Sequence, residues 1–322
     1  MKIIREIKDK LDYPNPVVTI GNFDGVHIGH QKIFRSVVEK AGEINGTPIA
    51  ITFNPHPVRV LAPERGLKII TTPEDKTRLI ADMGIKVLIC IPFDREFART
   101  DPDDFINDVL VGRLGVKYVI VGHSYSFGKG KKGTTALLRR RGLKYGFKVT
   151  VVRYATVYDD VVSSSRVRSL VLRGRVCEAS MMLGRAYHIE GLVVKGAGRG
   201  ASLLHTPTAN ISTTNELIPK EGVYAVRVSF PETLDARRLT LFYDGVANIG
   251  KNPTFGEVPM SYEVHIFDFN QDLVGKRLKV HFIDRIRDEK KFSGIHELED
   301  QIHKDIEKTK LILSKRSDHL FI

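Results

Sequence analysis

Short apolar runs alternate with amphipathic segments through the first half of the chain. The runs are rich in β-branched residues and predict buried strands at Val17–Ile20, Ile49–Phe53, Val87–Ile91, Tyr118–Val121 and Val149–Val152. Between these runs, apolar residues recur at helical intervals and predict helices at Gly29–Ala41, Pro73–Met83, Asp103–Leu114 and Thr134–Tyr145. This alternation predicts an α/β fold with a doubly wound parallel sheet, whose ligands bind beyond the carboxyl ends of the strands.

The pattern changes near residue 160. Two short helices, broken at Gly174, precede strand-like pieces at His188–Val194, Val223–Phe230, Arg238–Val246, Ser261–Phe269 and Arg277–Ile283. Turn residues at short intervals indicate a small antiparallel β-barrel. In SGIHELEDQIHKDIEKTKLIL, apolar residues recur at helical steps, which predicts a closing C-terminal helix. We therefore expect two domains, at residues 1–182 and 183–322.

The composition is that of a globular protein, with 42% hydrophobic and 27% charged residues. No run approaches the roughly 18 apolar residues of a membrane span. The N-terminal MKIIREIKDKLDY lacks the apolar centre of a signal peptide, and the two cysteines have no metal-ligand spacing. A reduced, cytoplasmic protein without membrane association is the simplest interpretation. The net charge of +12 favours an anionic partner, but it does not distinguish a nucleic acid from ATP.

The stretch GNFDGVHIGH, residues 21–30, follows the first predicted strand and carries the first candidate site. Gly21 and Gly25 permit a tight turn, and the start of a helix presents backbone N–H groups that suit a phosphate. His27 and His30 would point to one side of the first helical turn and donate to phosphate oxygens. Zinc binding with Asp24 as a third ligand is an alternative, although no zinc signature fits.

Taken whole, GNFDGVHIGH resembles the nucleotidyltransferase signature of the bacterial bifunctional riboflavin kinase/FAD synthetase family. It also resembles, more distantly, the HxGH motif of adenylyl- and cytidylyltransferases. Further motifs similar to those of the family follow in the expected order: ITFNPHP, SSSRVR at 163–168, LGRAYHIEGLVVKG at 183–196, PTANI at 207–211, GVANIGKNPTFG at 245–256 and EVHIFDF at 263–269. The resemblance therefore extends over nearly the whole chain.

This resemblance implies two reactions. The C-terminal domain would phosphorylate riboflavin with ATP to give FMN. The N-terminal domain, a nucleotidyltransferase, would adenylylate FMN with a second ATP, giving FAD and pyrophosphate. Both reactions would use Mg²⁺, and neither set of motifs indicates a covalent enzyme intermediate. At the first site, electrostatic stabilisation of the phosphate under attack would be the catalytic device.

In the N-terminal domain the resemblance implies that His27 and His30 contact the ATP phosphates and stabilise adenylyl transfer. It implies further nucleotide contacts at Gly21, Asn22, Phe23, Asp24, Gly25, Asn54, His56, Ser164, Ser165 and Arg168. Serines at a helix start and an arginine one turn later also suit a phosphate on chemical grounds.

The family's Gly-x-Asp-Phe-x-Phe-Gly motif reads GHSYSFG here, residues 122–128. The resemblance implies flavin contacts at Ser124, Tyr125 and Phe127. Ser124 replaces the family's aspartate and removes a charge, whereas Tyr125 keeps the aromatic ring of the family's phenylalanine.

In the C-terminal domain the resemblance assigns Thr208 and Asn210 of the PTAN motif to magnesium-ATP, and Mg²⁺ prefers such oxygen ligands. A preceding glycine-rich turn could lie over nucleotide phosphates, with Gly196, Gly198 and Gly200. One departure lies between these features, where His205-Thr206 replaces the family's Gly-Phe.

Glu263 is the remaining catalytic candidate. The resemblance makes it the general base that takes the proton from the 5′-hydroxyl of riboflavin. Strand alternation places Glu263 on one face with His265 and Phe267. Arg287 and Phe292 resemble a family loop that closes near the flavin.

Three alternatives remain open. The altered GHSYSFG stretch allows a riboflavin kinase with weakened or lost adenylyltransferase activity. The charge allows a nucleic-acid binding surface, but the sequence has no recognition helix or aromatic RNA-binding signature, so we expect none. Adenylylation of another phosphorylated small molecule is disfavoured by the C-terminal motifs. The sequence leaves the oligomeric state open.

Overall fold

In the computed structural model, which describes residues 1–195, 208–234, 240–251 and 260–315, contacts divide the chain into two units. The units are Met1–Ser164 and Ser165–Ile322. The predicted boundary between residues 182 and 183 stays a prediction, because the helical segment before it is grouped with the second unit.

A parallel sheet forms the centre of the first unit. The strands of this unit are β1 (Lys2–Ile4), β2 (Val17–Ile20), β3 (Pro48–Asn54), β4 (Val87–Pro92), β5 (Tyr118–Gly122), β6 (Ser126–Phe127), β7 (Gly133–Thr134), β8 (Lys148–Val152), β9 (Thr156–Val157) and β10 (Asp160–Val161). Six of them form the sheet, in the order β1-β4-β3-β2-β5-β8, with every pairing parallel. The five predicted strands are confirmed, whereas the edge strand β1 was not predicted.

Helices cover both faces of this sheet. They are α1 (Ile28–Glu43), α2 (Pro57–Leu61), α3 (Pro73–Asp82), α4 (Pro102–Asp104), which continues into a π-helical stretch at Phe105–Arg113, and α5 (Thr135–Tyr145). Alternate strand residues enter two separate hydrophobic cores. Ile51 packs in one core with Ile106 and Leu138, and Ala50 packs in the other with Phe34 and Ile80. Burial on both faces explains why these strands read as continuous apolar runs.

The chain reverses direction across the sheet at β2, which pairs with β3 on one side and with β5 on the other. In an open parallel sheet such a switch point opens a crevice beyond the carboxyl ends of the strands. Two of the predicted site segments lie at the ends of these strands, because residues 21–30 follow β2 directly and residues 122–128 begin at the last residue of β5. The topology therefore brings both segments to the edge of the sheet where ligands bind.

The second unit contains a closed antiparallel barrel. Its elements are α6 (Ser164–Leu172), α7 (Val176–Leu183), β11 (Tyr187–Val194), β12 (Ala209–Thr213), β13 (Gly222–Leu234), β14 (Thr240–Lys251), β15 (Met260–Ile266), β16 (Arg277–Arg287) and α8 (Ile295–Ser314). The strand order is β11-β12-β15-β14-β13-β16, closed on β11. The barrel, the closing helix and the break at Gly174, which has a φ of 75°, are confirmed. Strand β12 was not predicted.

Apolar side chains fill the barrel, among them the buried Val228, Val264 and Phe282. The C-terminal α8 covers part of the outer surface, where Leu313 packs against Val223 and Ile283. Within the described ranges, no helix has the length and apolar character needed to cross a membrane.

Candidate active sites

The turn between β2 and α1 has an unusual backbone. Phe23, Gly25 and Val26 adopt positive φ angles of 51°, 84° and 41°. This left-handed region is uncommon for residues other than glycine, and it persists only where surrounding packing enforces it. Phe23 and Val26 are 2% and 1% exposed, so core packing holds the turn in this conformation. Strained turns of this kind concentrate at active sites.

Asp24 anchors this turn. Its Oδ1 accepts hydrogen bonds from the backbone N–H groups of Ile70 (2.9 Å) and Thr71 (3.4 Å), and the Gly25 N–H donates to Thr71 Oγ1 (3.2 Å). The Ser164 hydroxyl donates to the Asp24 carbonyl (2.8 Å). The Asp24 side chain is 3% exposed and holds the turn in place, and its predicted nucleotide contact stays a prediction.

Other predicted residues also shape the turn and its surroundings. A Cβ atom at Gly21 would lie 2.9 Å from the Phe23 ring, and the Asn22 carbonyl accepts a hydrogen bond from Thr52 (3.2 Å). Asn54 ends β3 in an exposed position. His56 caps α2, with Nδ1 accepting from the Val58 N–H (3.2 Å).

The two imidazoles stack on each other at the start of α1. Their centroids are 3.6 Å apart at an interplanar angle of 18°. His27 Nδ1 accepts a hydrogen bond from the His30 backbone N–H (3.3 Å), which leaves Nε2 as the donor atom of the ring. The prediction that the pair points to one side is consistent with this stacking. Among the described residues, no group of three or more His, Cys, Asp or Glu could hold a metal ion, and the zinc alternative gains no support.

His30 is held in its neutral form. Burial lowers the pKa of His30 well below its ordinary value, and the nearby charges of His27 and Lys76 lower it further. The His30 ring also meets the edge of Phe23, with centroids 5.3 Å apart. Its Nδ1 is buried and has no hydrogen-bond partner among the described residues. At neutral pH this neutral ring has one N–H group, which can donate one hydrogen bond. It does not act as a general acid, because it lacks the second proton of the imidazolium form.

Two residues that sequence reasoning passed over belong to this site. A Cβ atom at Gly29 would lie 3.1 Å from His27 Nδ1, so glycine leaves room for the ring over the helix start. Lys76, on α3, has a pKa lowered by burial, and its charge interacts with Asp24 as well as His30. The segment TTPEDKTRLI predicts an exposed helical lysine, so only the folded structure shows that Lys76 lies near His30.

The GHSYSFG stretch presents an aromatic surface. Tyr125 and Phe127 stack with centroids 5.4 Å apart at 17°, and Phe127 contacts Phe105 at 5.7 Å. The Tyr125 hydroxyl is buried without a hydrogen-bond partner among the described residues, and burial raises its pKa. Ser124, the departure from the family motif, lies exposed at the turn.

Ser165 and Arg168 lie in the first turns of α6, after Ser164. Contacts group both with the second unit, and their predicted phosphate contacts stay predictions. The predicted Gly196, Gly198 and Gly200, with the His205-Thr206 departure, lie outside the described residues.

The second candidate site lies on the outer surface of the barrel, across three neighbouring strands. Glu263 of β15 is paired with Asn210 of β12 on one side and with Asn248 of β14 on the other. Facing residues of neighbouring strands point to the same side of a sheet, so the three side chains form a row. Glu263 is half-buried, and burial followed by the charge of Glu289 raises its pKa. Thr208 directly precedes β12.

Asn248 was missed as a site residue. Its motif, GVANIG, was recognised, but no role was given to it. The sequence shows only the alternation of side chains along the strand. That alternation places the Asn248 amide on the same face as Glu263 only once the register between the two strands is known.

Arg287 forms an ion pair with the C-terminal helix. Its guanidinium forms a bidentate ion pair with Asp305 of α8, with Nη2–Oδ2 at 2.7 Å and Nε–Oδ1 at 3.1 Å. Asp305 is 5% exposed and also accepts from Gln301 (3.0 Å). This ion pair links β16 to α8, and the predicted flavin contact of Arg287 stays a prediction. Phe292 is half-buried, with the Lys290 ammonium 5.4 Å from its ring centroid.

Comparisons with known proteins match both units. Residues 9–166 match the family model of FAD synthetase, and residues 183–313 match that of riboflavin kinase. The bifunctional riboflavin kinase/FMN adenylyltransferase of Bacillus subtilis (strain 168) is 38% identical over 301 residues, covering 92% of each chain. The protein of the same name from Escherichia coli (strain K12) is 35% identical over 307 residues, covering 95% of this chain and 96% of its own.

A solved structure resembles the whole chain as well. It comes from Streptococcus pneumoniae and is described as a macrolide-efflux protein. It is 32% identical, superposes with a TM-score of 0.85, and the match covers 96% of this chain and 98% of the other.

Proposed function

Because the chain belongs to the family of bifunctional riboflavin kinases/FMN adenylyltransferases, we propose that its two reactions take place at the two sites described above. The enzyme phosphorylates riboflavin with ATP to FMN and adenylylates FMN with ATP to FAD. The FAD synthetase match includes the altered residues 122–128, and the comparisons give no support to a lost adenylyltransferase activity.

We assign adenylyl transfer to the turn after β2, and the stacked imidazole pair carries this assignment. A phosphate oxygen of FMN attacks the α-phosphorus of ATP, the bond from that phosphorus to the bridging oxygen breaks, and pyrophosphate leaves. His27 and His30 would donate hydrogen bonds to the phosphate oxygens on which negative charge builds. The charge of the Lys76 ammonium lowers the pKa of His30, and this ammonium would add to the positive potential at the site.

The aromatic surface after β5 would bind the flavin of FMN. An isoalloxazine ring is flat and apolar on its faces, and stacked or offset rings match such a face well. The stacked pair Tyr125 and Phe127 supports this placement, because it follows β5 at the same switch point as the imidazole pair.

We assign phosphorylation of riboflavin to the row on the outer surface of the barrel. Glu263 would take the proton from the 5′-hydroxyl while that oxygen attacks the γ-phosphorus of ATP and ADP leaves. The donor set fits Mg²⁺, which prefers oxygen ligands, because Asn210 faces Glu263 directly. Thr208 and Asn210 would hold the ion, which would screen the charge of the ATP phosphates when bound.

The net charge of +12 fits the binding of ATP and FMN, both of which are anionic. The predicted cytoplasmic location and the absence of nucleic-acid and membrane partners stay predictions, and the oligomeric state stays open.

Single substitutions test the two assignments separately. With FMN and ATP supplied, His27→Asn and His30→Asn should lower FAD formation by about 10²-fold to 10³-fold and leave FMN formation from riboflavin intact. Glu263→Gln should lower FMN formation by about 10²-fold to 10⁴-fold and spare adenylylation. Near-normal rates in these folded variants would overturn the assignments.

A further inference from the structure

An open pocket in the first unit is lined by residues that belong to neither candidate active site. Its volume is about 380 Å³, within the roughly 300–1,000 Å³ that ligand pockets occupy. One wall comes from the start of α4, and the other comes from the turn before β7 and from α5. The polar groups around it belong to Asp101, Asp103, Lys132, Thr134 and Arg140.

Backbone contacts hold the two walls together. The Lys129 N–H donates a hydrogen bond to the Thr100 carbonyl (2.9 Å), and a Cβ atom at Gly128 would lie 2.6 Å from the Pro102 ring. The turn that carries Lys132 is therefore fixed against the segment that leads into α4. The same turn joins β7 to β6, which carries Phe127 of the aromatic surface.

The two carboxylates of the pocket already have partners. Arg141, which lies outside the lining, forms a bidentate ion pair with Asp103, with Nε–Oδ1 at 2.6 Å and Nη2 bound to Oδ2. Asp101 Oδ1 accepts a hydrogen bond from the Asp103 N–H (2.9 Å). In contrast, Lys132 and Arg140 are exposed and form no ion pair within the described part of the chain.

The charge around the pocket is positive. Residues 129–144, KGKKGTTALLRRRGLK, include seven basic residues and no acidic residue. A concave site surrounded by one sign of charge attracts ligands of the opposite sign. The guanidinium fork of Arg140 and the point charge of Lys132 both suit phosphate oxygens, and two separate cations suit two phosphoryl groups.

We propose that this pocket is a further binding site, which takes the diphosphate group of a small ligand between Lys132 and Arg140. Both reactions of the enzyme release such a group, as free pyrophosphate in adenylylation and as ADP in phosphorylation. A bound diphosphate would contact the turn between β6 and β7, next to the aromatic surface. The inference rests on the pocket and its charges, and it is independent of the residues assigned to catalysis.

The test is calorimetric titration of the full-length enzyme with pyrophosphate, at constant ionic strength and without Mg²⁺. Wild type should show a binding event that Arg140→Gln and Lys132→Gln each weaken by about tenfold, the effect of losing one charge-assisted contact. The double variant should lose this event altogether. Binding at the active sites is common to all these proteins, so the difference between them reports on the pocket.

Arg139→Gln is the matched control. It removes the same charge from the neighbouring residue of α5, which is exposed and does not line the pocket. Its affinity for pyrophosphate should change by less than about twofold, as for an exposed surface charge. Arg140→Gln should also keep the initial rates of FMN and FAD formation, and thermal unfolding verifies that each variant is folded.

Parallel titrations identify the source of the diphosphate. Tighter binding of ADP would support a nucleoside diphosphate, and tighter binding of pyrophosphate would support the free anion. Inorganic phosphate that binds as tightly as pyrophosphate would contradict the requirement for two phosphoryl groups.

Three other results would overturn the proposal. Wild type without any binding event that depends on Lys132 or Arg140 would exclude the site. Equal losses in Arg139→Gln and Arg140→Gln would show only the general attraction of a basic surface. A raised KM for FMN in Arg140→Gln, with pyrophosphate binding intact, would make the pocket part of the flavin site.

Discussion

At the scale of single residues, the adenylylation site depends on a glycine whose missing side chain leaves room for a functional group. A Cβ atom at Gly29 would lie 3.1 Å from Nδ1 of the His27 ring. Gly29 has no positive φ, so the requirement is for space and not for backbone freedom. Alanine at this position should therefore affect chemistry much more than folding.

Alanine at position 29 should uncouple activity from stability. Gly29→Ala should lower adenylylation at least about tenfold, because the new Cβ would displace the His27 ring from its place over the helix start. Stability should hold or rise by up to about 1 kcal/mol, since alanine is the better helix former. FAD formation from FMN and urea denaturation give the two readouts.

Gly42→Ala is the matched control for this effect, because Gly42 lies in the same helix and a Cβ there would meet nothing within 4 Å. It should stabilise the protein and leave adenylylation unchanged. Equal activity in both variants would contradict the role given to Gly29.

The neutral state of His30 links stability to pH. Its folded pKa is lowered, so between that value and the unfolded value of about 6.5 the unfolded chain binds more protons than the folded chain. Stability should therefore fall as the pH drops below about 6.5, by at most about 1.4 kcal/mol per pH unit from this group.

His30→Asn should flatten this dependence in urea denaturation compared at pH 7.5 and pH 5.5. The fully exposed His296 supplies the control, since His296→Asn should leave the slope as it is. An unchanged slope in His30→Asn would show that this ring is not the group responsible.

The sequence revealed the residues whose chemistry is local and missed those that depend on distant segments. His27 and His30 stand in one glycine-rich turn, so their pairing could be predicted from ten residues. Lys76 reaches the same turn only because residues 70 and 71 bind Asp24. Asn248 faces Glu263 only through the register between β14 and β15.

At the scale of elements, the ion pair between Arg287 and Asp305 joins β16 to α8. Asp305→Ala should lower the free energy of unfolding of the second unit by about 2–3 kcal/mol, because it leaves a largely buried guanidinium without its partner. Asp300→Ala, on an exposed position of the same helix, should change stability by less than about 0.5 kcal/mol. A large change in the riboflavin KM without loss of stability would instead support the original flavin prediction for Arg287.

The strongly periodic elements were predictable, and the short ones were not. Central strands such as β2 and β3 are apolar throughout because helices cover both of their faces, so the pattern marked them clearly. Strand β1 has three residues in a charged segment, and β12 follows a proline and alternates weakly. Only the edge of β4 and the barrel partners β11 and β15 make these two segments into strands.

At the scale of the whole molecule, the two units correspond to two reactions, but their boundary differs between contacts and family models. Contacts begin the second unit at Ser165, whereas the riboflavin kinase match begins at residue 183. Helix α7 lies between these positions and buries Val176, Met182 and Leu183. Its Ser180 hydroxyl also accepts a hydrogen bond from the Tyr187 N–H of β11 (3.2 Å).

The stability of two fragments shows whether α7 belongs to the folding unit of the barrel. Residues 163–322 should unfold cooperatively and phosphorylate riboflavin. Residues 184–322 lose the buried face of α7 and should be less stable by about 5 kcal/mol, at roughly 1.5–3 kcal/mol for each large apolar side chain. Circular dichroism during urea denaturation measures this difference, and equal stability of the fragments would place the boundary at residue 183.

The most direct test of the account is one time course, in which the wild-type enzyme and two variants receive riboflavin, ATP and Mg²⁺ and chromatography separates FMN from FAD. Wild type should form FMN first and then convert it to FAD. His30→Asn should accumulate FMN, and Glu263→Gln should form FAD only when FMN is supplied. If wild type stopped at FMN, or if either substitution abolished both reactions in a folded protein, the assignment of two separate sites would be contradicted.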